Sequence, residues 1–327
     1  MGSQGGVACV TPSVGRILPG VSARTESIVV AVVGPTATGK SDLGLSLAEA
    51  LNGEIVNADA SQLYRGMDIG TAKVPVGERR GIAHHLFDVL DARTESTVAS
   101  YQTLVTQAVD TICAAGRAPV LVGGSGLYVR AALDVLDIPP TDAAVRAAWE
   151  MRLEREGPDL LHLELREKDP GAASAIGPSN GRRLVRALEV IELTGRPFSA
   201  SMPTRTYRRP TVQIGLRADR DLLVERIEAR AKRMWDEGLL AEVAALDRLG
   251  LRAGRTASRA IGYAQALRQL DGSITSDEAI TETVLCTRRF ARRQRAWFGA
   301  DPRITWLEYD DPHLLARALD LVHAARR

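Results

Sequence analysis

The segment Ile28-Val29-Val30-Ala31-Val32-Val33-Gly34-Pro35-Thr36-Ala37-Thr38-Gly39-Lys40-Ser41 decides how the rest of the chain reads. Its first six residues form an unbroken, valine-rich aliphatic run. A run that short predicts a strand buried on both faces, as in a parallel sheet. The next eight residues match the GxxxxGK[ST] phosphate loop in full. Glycines let the backbone fold tightly enough for successive N–H groups to point at phosphate oxygens, and the following helix adds its positive end. Residues 41–51 predict that helix, with Leu43, Leu47, Ala48 and Leu51 on one face. With strand and helix both in place, a chance glycine turn is the weaker reading. Gly34, Pro35, Thr36, Ala37, Thr38, Gly39, Lys40 and Ser41 are therefore the expected diphosphate- or nucleotide-binding set. Lys40 would reach the terminal phosphate, and the Ser41 hydroxyl would take a Mg²⁺ position.

Outward from the loop, residues 54–59 and 118–122 read as strands and 98–115 as an amphipathic helix. Strands alternating with helices predict an α/β fold with a parallel sheet, of the P-loop nucleoside-triphosphatase and kinase kind. After Pro139-Pro140 the pattern is helical only, over residues 142–193, broken at Gly157-Pro158, Asp169-Pro170 and Gly177-Pro178. A strand at 211–216 follows, then helices at 219–249, 258–270 and 276–298 and a last strand at 303–309. A helical block between strands predicts an all-helical insertion, residues 141–209, in a core built from 27–140 and 210–327. Residues 1–26 lack the basic start and compact apolar stretch of a secretory signal and read as a disordered leader.

Composition narrows the class further. The 327 residues carry 42 Lys+Arg against 40 Asp+Glu, a net +2 that by itself does not announce a nucleic-acid binder. No apolar run approaches the ~20 residues of a membrane-spanning helix. Cys9, Cys113 and Cys286 are odd in number and far apart, which argues against disulfides or structural zinc and fits a cytoplasmic protein.

Nucleotide hydrolases hold their metal with an acid at the end of a second strand. The strand at 118–122 runs into Gly123-Gly124-Ser125-Gly126 without one, so Asp59, ending the strand at 54–59, is the only candidate. That layout suits a small group-transfer enzyme better than a mechanical ATPase. Ligands of open α/β folds bind where strands end. There Asp59-Ala60-Ser61-Gln62 brings Asp59 as a general base or acceptor and Gln62 as a reader of a base edge. Asp59 capping a turn and a solvated Gln62 explain the same residues equally well.

The phosphate loop, this segment, His84-His85-Leu86 and Gly123-Gly124-Ser125-Gly126-Leu127-Tyr128 occur in order. They are followed by Arg182-Arg183-Leu184-Val185-Arg186-Ala187-Leu188-Glu189-Val190, Ile261-Gly262-Tyr263, and Thr287-Arg288-Arg289-Phe290-Ala291-Arg292-Arg293-Gln294 with Trp297-Phe298. Over residues 28–309 the chain resembles the bacterial tRNA dimethylallyltransferase (isopentenyl-diphosphate:tRNA transferase) family. The resemblance implies a phosphate loop that holds the diphosphate of dimethylallyl diphosphate. The prenyl group would go to N6 of adenosine-37, just 3′ of the anticodon, in tRNAs reading codons that begin with U. It implies contact of Asp59 with that amino group, of Ser125 with the reacting centre, and of Arg146 with tRNA. The family commonly has Ser where this chain has Ala60 and Thr where it has Ser125. A hydroxyl role at 60 is therefore lost or moved to Ser61.

Residues 182–209 hold seven arginines against Glu189 and Glu192, and residues 283–300 hold five with no acid. At 100° per residue Arg288, Arg292 and Arg295 share one helical face. Such tracts predict phosphate contacts through Arg182, Arg183, Arg186, Arg288 and Arg292, and the resemblance implies that the phosphates are those of the anticodon stem-loop. Core packing is the favoured role for Trp297 and Phe298. Adjacent His84 and His85 cannot both face one metal and have no ligand-spaced neighbours, so they are expected to be structural or to line the cleft. The expected chemistry is Mg²⁺-assisted allyl transfer by a monomer, with Lys40 stabilising the leaving diphosphate and Asp59 accepting the amine proton. A small-molecule kinase or an adenylate isopentenyltransferase would share the loop but has no use for the arginines or the insertion.

Overall fold

The apolar run at the head of the chain becomes β1 (Val29–Val33), buried along its whole length. The other strands are β2 (Gly53–Asn57), β3 (His84–His85), β4 (Ala118–Val122), β5 (Thr211–Arg217) and β6 (Ile304–Glu308). All pair in parallel in one sheet of order β3-β2-β4-β1-β5-β6. The structure is a computed structural model that describes residues 28–201 and 205–326. The leader expected at 1–26 lies outside the described residues.

Both faces of β1 are covered, which is why it alternates nothing. Val30 and Val32 meet Leu47 of α1 (Lys40–Ala50) and, on the same face, share a cluster with Ala318 and Val322 of the last helix, Leu314–Ala325. Val29, Ala31 and Val33 belong to a second cluster with Tyr101 and Val105 of α2 (Val98–Ala114) and Tyr128 of α3 (Gly126–Leu133). The strand order reverses at β1, between β4 and β5, so the crevice for ligands opens at the carboxyl end of β1, where the phosphate loop begins.

Residues 143–194 fold as α4 (Ala143–Glu156), α5 (Pro158–Lys168), α6 (Pro170–Ile176) and α7 (Gly181–Thr194). Trp149, Leu161, Leu165, Leu184 and Leu188 give these helices a core of their own. Gly157 and Gly177 have φ of 79° and 70°, conformations that suit glycine. Pro158 and Pro170 open the helices that follow, where a missing N–H costs nothing. The chain enters and leaves this block through a paired neck. Val135 N–H donates to Thr206 O and Arg208 N–H to Leu133 O, both at 2.8 Å. Fully buried Asp134 accepts from Arg303 at 2.7 Å and Arg130 at 2.9 Å, and Arg303 lies 4.2 Å over the Tyr207 ring.

The remaining helices are α8 (Arg220–Asp236), α9 (Leu239–Arg248), α10 (Tyr263–Leu270), α11 (Ser276–Gly299) and α12 (Leu314–Ala325). The helix expected from residue 258 starts at Tyr263 instead. A 3₁₀ turn, Ala257–Arg259, precedes it, and Gly262 at φ 91° interrupts the helical path. Three elements have no counterpart among the expected ones. β3 is two residues long and shows no period, and α3 hides behind a glycine-rich start. α12 carries the i, i+4 spacing of Leu314, Ala318 and Val322 beyond the last expected strand. Among the described residues no helix is long and apolar enough to cross a membrane.

Candidate active site

The phosphate loop turns away from β1 at Gly34, whose φ is 133°. A Cβ there would sit 2.5 Å from the Leu216 carbonyl oxygen, so only glycine passes so close to β5. Ala37 and Gly39 also take positive φ, 64° and 80°. Thr38 is buried, its hydroxyl donating to Pro35 O at 2.9 Å. Lys40 Nζ donates to the same carbonyl at 2.5 Å. Burial and the nearby Arg230 guanidinium push the Lys40 ammonium down to about 7, against the opposing pull of Asp59.

The sequence does not single out Arg230. α8 carries it to the loop, where Nη1 donates to Thr36 Oγ1 at 3.3 Å and Nη2 to Thr71 O at 3.5 Å. Desolvation lowers its pKa, as do Arg233 and Arg226, while Asp59 holds it up. No local motif marks Arg230; its place depends on how α8 docks. Gln294 of α11 is another side chain to which the sequence assigns no role. It is 4% exposed, accepts from Thr36 N–H at 2.9 Å and donates to Gly124 O at 2.9 Å.

Asp59 leaves β2 on a rigid base. Buried Asn57 accepts the Asp59 N–H at 2.8 Å and donates to Asp59 O and Leu86 O, each at 3.0 Å. The buried Tyr101 hydroxyl donates to Asn57 O at 2.8 Å. Asp59 Oδ1 accepts Ser61 N–H at 3.0 Å, a turn-capping bond that leaves Oδ2 without a hydrogen bond from a described residue. The capping role weighed for Asp59 is thus seen at Oδ1, and the base or acceptor role would fall to Oδ2. Ala60 N–H donates to Ser125 Oγ at 3.0 Å, and Ser125 N–H to Ala58 O at 3.2 Å. Gly123 must be glycine, because a Cβ would lie 2.2 Å from Ala58 O. These contacts bring Asp59 and Ser125, far apart in sequence, to one rim of the crevice. Ala60 enters that lacing through its backbone N–H.

Gln62 is not the solvated side chain the sequence allowed. Its amide nitrogen donates to Thr71 O at 3.0 Å and Ala72 O at 3.4 Å, which leaves Oε1 for a ligand. The loop it holds is anchored from the other side by Glu242 of α9. That carboxylate accepts the N–H groups of Asp68 (3.1 Å), Ile69 (2.8 Å) and Gly70 (3.4 Å) and the Tyr263 hydroxyl (2.5 Å). Burial and Glu242 push the Tyr263 phenol well up, so it stays a donor. Ile261-Gly262-Tyr263 is thus a support for the crevice wall. Glu242→Gln replaces charge-assisted acceptance with a neutral oxygen and a misplaced donor. It should cost about 1–3 kcal/mol of unfolding free energy in urea titration; a change under ~0.5 kcal/mol would contradict this anchoring.

The structure separates the expected RNA-facing arginines into two kinds. Arg146 and Arg186 both pair with Glu189, which is fully buried, at 2.7 and 2.9 Å. Arg186 also donates to Pro139 O and Pro140 O, clamping the entry to the helical block. Burial would raise the Glu189 carboxyl, but Thr141, Arg146 and Arg186 together hold it below its usual range. Arg209 pairs with Asp110. The tract at 182–209 is therefore partly neutralised, by Glu189 three positions from Arg186 and by Asp110, which linear spacing did not connect to Arg209. Arg182 and Arg183 are exposed and make no ion pair among the described residues. Arg220, Arg288, Arg292 and Arg295 line an open groove between α8 and α11, floored by Leu223 and Ile227. None of the four has an ion-pair partner among the described residues.

His85 Nε2 lies 2.5 Å from Glu54 Oε2, and Arg117 is 2.6 Å from the same carboxylate. His84 contacts Ile82 O at 2.8 Å through Nδ1 and tilts against Phe87. Among the described residues no group of three His, Cys, Asp or Glu could hold a metal. A Mg²⁺ ion would fit as a diphosphate companion, because the Ser41 hydroxyl makes no hydrogen bond among the described residues and Mg²⁺ commonly takes one or two protein ligands besides phosphate and water. Phe298 is core at 2% exposure, as expected, whereas Trp297 is 46% exposed. Its ring covers Gly126, where a Cβ would come within 2.2 Å.

The chain is similar to known proteins along most of its length. The family described as IPP transferase matches residues 62–301. A tRNA dimethylallyltransferase of Thermobifida fusca is 58% identical over 301 residues, covering 90% of this chain and 94% of the relative. The solved tRNA isopentenylpyrophosphate transferase of Bacillus halodurans superposes with a TM-score of 0.69 at 38% identity, covering 92% and 97%. A solved eukaryotic dimethylallyltransferase, described as acting on tRNA, gives a TM-score of 0.77 at 25% identity over 92% and 80%.

Proposed function

The chain belongs to the IPP transferase family, and from that membership we propose that it is a tRNA-modifying prenyltransferase. It transfers the dimethylallyl group of dimethylallyl diphosphate to N6 of the adenosine just 3′ of the anticodon, giving N6-isopentenyladenosine and diphosphate. One observation carries the reading most directly: Asp59, with Oδ2 free of hydrogen bonds from described residues, shares a laced rim with Ser125 beside a phosphate loop that ends in Lys40 and receives Arg230 from α8.

The loop N–H groups, Lys40 and Arg230 stabilise the leaving diphosphate as the allylic C–O bond breaks. Ser41 would hold Mg²⁺, which when bound neutralises diphosphate charge. An exocyclic adenine amine is a weak nucleophile because its lone pair is delocalised into the ring. Asp59 orients that amine and accepts its proton as the C–N bond forms. Ser125, whose hydroxyl takes the Ala60 N–H, holds the acceptor rim beside Asp59. The adenosine has to leave its stack to reach this depth. Arg288 and Arg292 with Arg182 and Arg183 are the available contacts for anticodon-stem phosphates; Arg146 and Arg186 shape the helical block that carries the latter two. The proposed enzyme acts as a monomer on cytoplasmic tRNA.

The deciding assay offers labelled dimethylallyl diphosphate to tRNA, AMP and ADP separately. Label should enter tRNA alone; label in AMP or ADP with none in tRNA would replace this reading with a free-nucleotide transferase. Arg288→Glu with Arg292→Glu should weaken tRNA binding and lower the slope of log K against log salt by about 1 for each phosphate no longer neutralised. An unchanged slope would place those side chains away from the RNA.

A further inference from the structure

We propose that Gln294 is a positioning residue that sets the distance between the diphosphate and the acceptor amine, an inference that rests on the transfer reaction proposed above. The side chain is nearly inaccessible, at 4% exposure, and touches neither of the groups that react. Its two polar atoms engage two different loops. Oε1 accepts Thr36 N–H in the phosphate loop, and Nε2 donates to Gly124 O, each at 2.9 Å. Gly124 directly precedes Ser125, whose hydroxyl holds Ala60 next to Asp59. A chain of contacts therefore runs from the diphosphate side to the acceptor side through one amide.

Three features argue that this bridge is built rather than incidental. A Cβ on Gly124 would lie 2.2 Å from Gln294 Nε2, so the acceptor loop comes as close to α11 as glycine allows. Thr36 is held a second time, through its hydroxyl, by Arg230. No other described side chain hydrogen-bonds to both loops. An amide accepts from one backbone group and donates to another through two separate atoms while carrying no charge. Glutamate would keep the acceptor and lose the donor; methionine keeps the volume and loses both. Reactions of this kind need the reacting atoms about 3–3.5 Å apart, and an error near 1 Å costs about 10²-fold. A loosened bridge leaves the diphosphate able to depart while the amine is out of reach. Water then competes. The allylic C1–O bond breaks with its electron pair going to diphosphate, the water oxygen bonds to C1, and a proton passes to solvent. The products are dimethylallyl alcohol and diphosphate in place of prenylated tRNA.

The test measures prenylated tRNA and dimethylallyl alcohol together for the wild-type protein, Gln294→Met, Gln294→Glu and Phe298→Leu, each below its melting temperature. Phe298→Leu loosens α11 one turn away and removes no hydrogen bond to either loop, and so reports what general destabilisation does. Both Gln294 variants should lower kcat for transfer by about 10²-fold and raise the alcohol share of released diphosphate at least ~10-fold, with KM for the diphosphate within about threefold. Phe298→Leu should leave the product ratio unchanged at an equal or larger loss of melting temperature. An unchanged ratio in both Gln294 variants overturns the proposal, as does an equal rise in Phe298→Leu or a rise confined to KM. A wild-type protein that prenylates no tRNA would instead overturn the transfer reading, before any variant is compared.

Discussion

Asp59→Asn should bind tRNA as the parent does and transfer the prenyl group about 10²–10⁴ times more slowly. The substitution is nearly isosteric. An asparagine Oδ1 can keep the bond from Ser61 N–H, and the Asn57 contacts to the Asp59 backbone do not involve the changed atoms. What disappears is a carboxylate oxygen that no described residue occupies and that can take a proton from the amine. The amide offers no base there, and an NH₂ in that position would face the donor side of N6. Binding measured by filter retention and turnover measured by label transfer separate the two effects. Turnover within about threefold of the parent would remove Asp59 from the chemistry.

Lys40→Met should lower kcat/KM for dimethylallyl diphosphate by about 10²–10³-fold, with a characteristic pH signature. In the free protein burial, then Arg230, push Lys40 down to about 7. Below that pH the side chain carries its proton and can pair with diphosphate; above it the ammonium is progressively lost. Because kcat/KM reports the free enzyme, it should fall as pH rises through about 7. Arg230→Gln removes a repelling charge, so the break should move to higher pH even as overall affinity drops. In Lys40→Met the break should vanish. Binding at pH 8 should take up a proton in the parent and none in Lys40→Met, visible as a buffer-dependent binding heat. A break that persists in Lys40→Met would assign the titration to another group.

The part of the site written in contiguous residues is legible without a structure. A phosphate loop is local: its glycines, lysine and serine sit within eight positions, and its strand and helix flank it directly. The helical block is equally open to reading, because glycine and proline mark its breaks by their own backbone limits. Arg146 and Arg186 show where linear reading stops. Arg146 lies 43 residues from the acid that neutralises it, and even Arg186, three positions from Glu189, has its partner settled by burial and not by spacing alone. Trp297 shows the same limit, since a helix-end aromatic can face the core or cover a glycine on another element.

By itself the sequence determined an α/β sheet with a complete phosphate-loop motif at its head, because backbone conformation and hydrogen bonding there depend on neighbours in the chain. Only the tertiary structure decided that Arg230 and Gln294 reach that loop from α8 and α11. It also decided that Asp59 and Ser125 share a rim and which arginines remain free of carboxylates. Those outcomes depend on how distant helices dock, through buried apolar contacts such as Leu223, Ile227 and Ala291 under the α8–α11 groove. Apolar attraction is non-directional, so the sequence states that such faces are buried without stating against what.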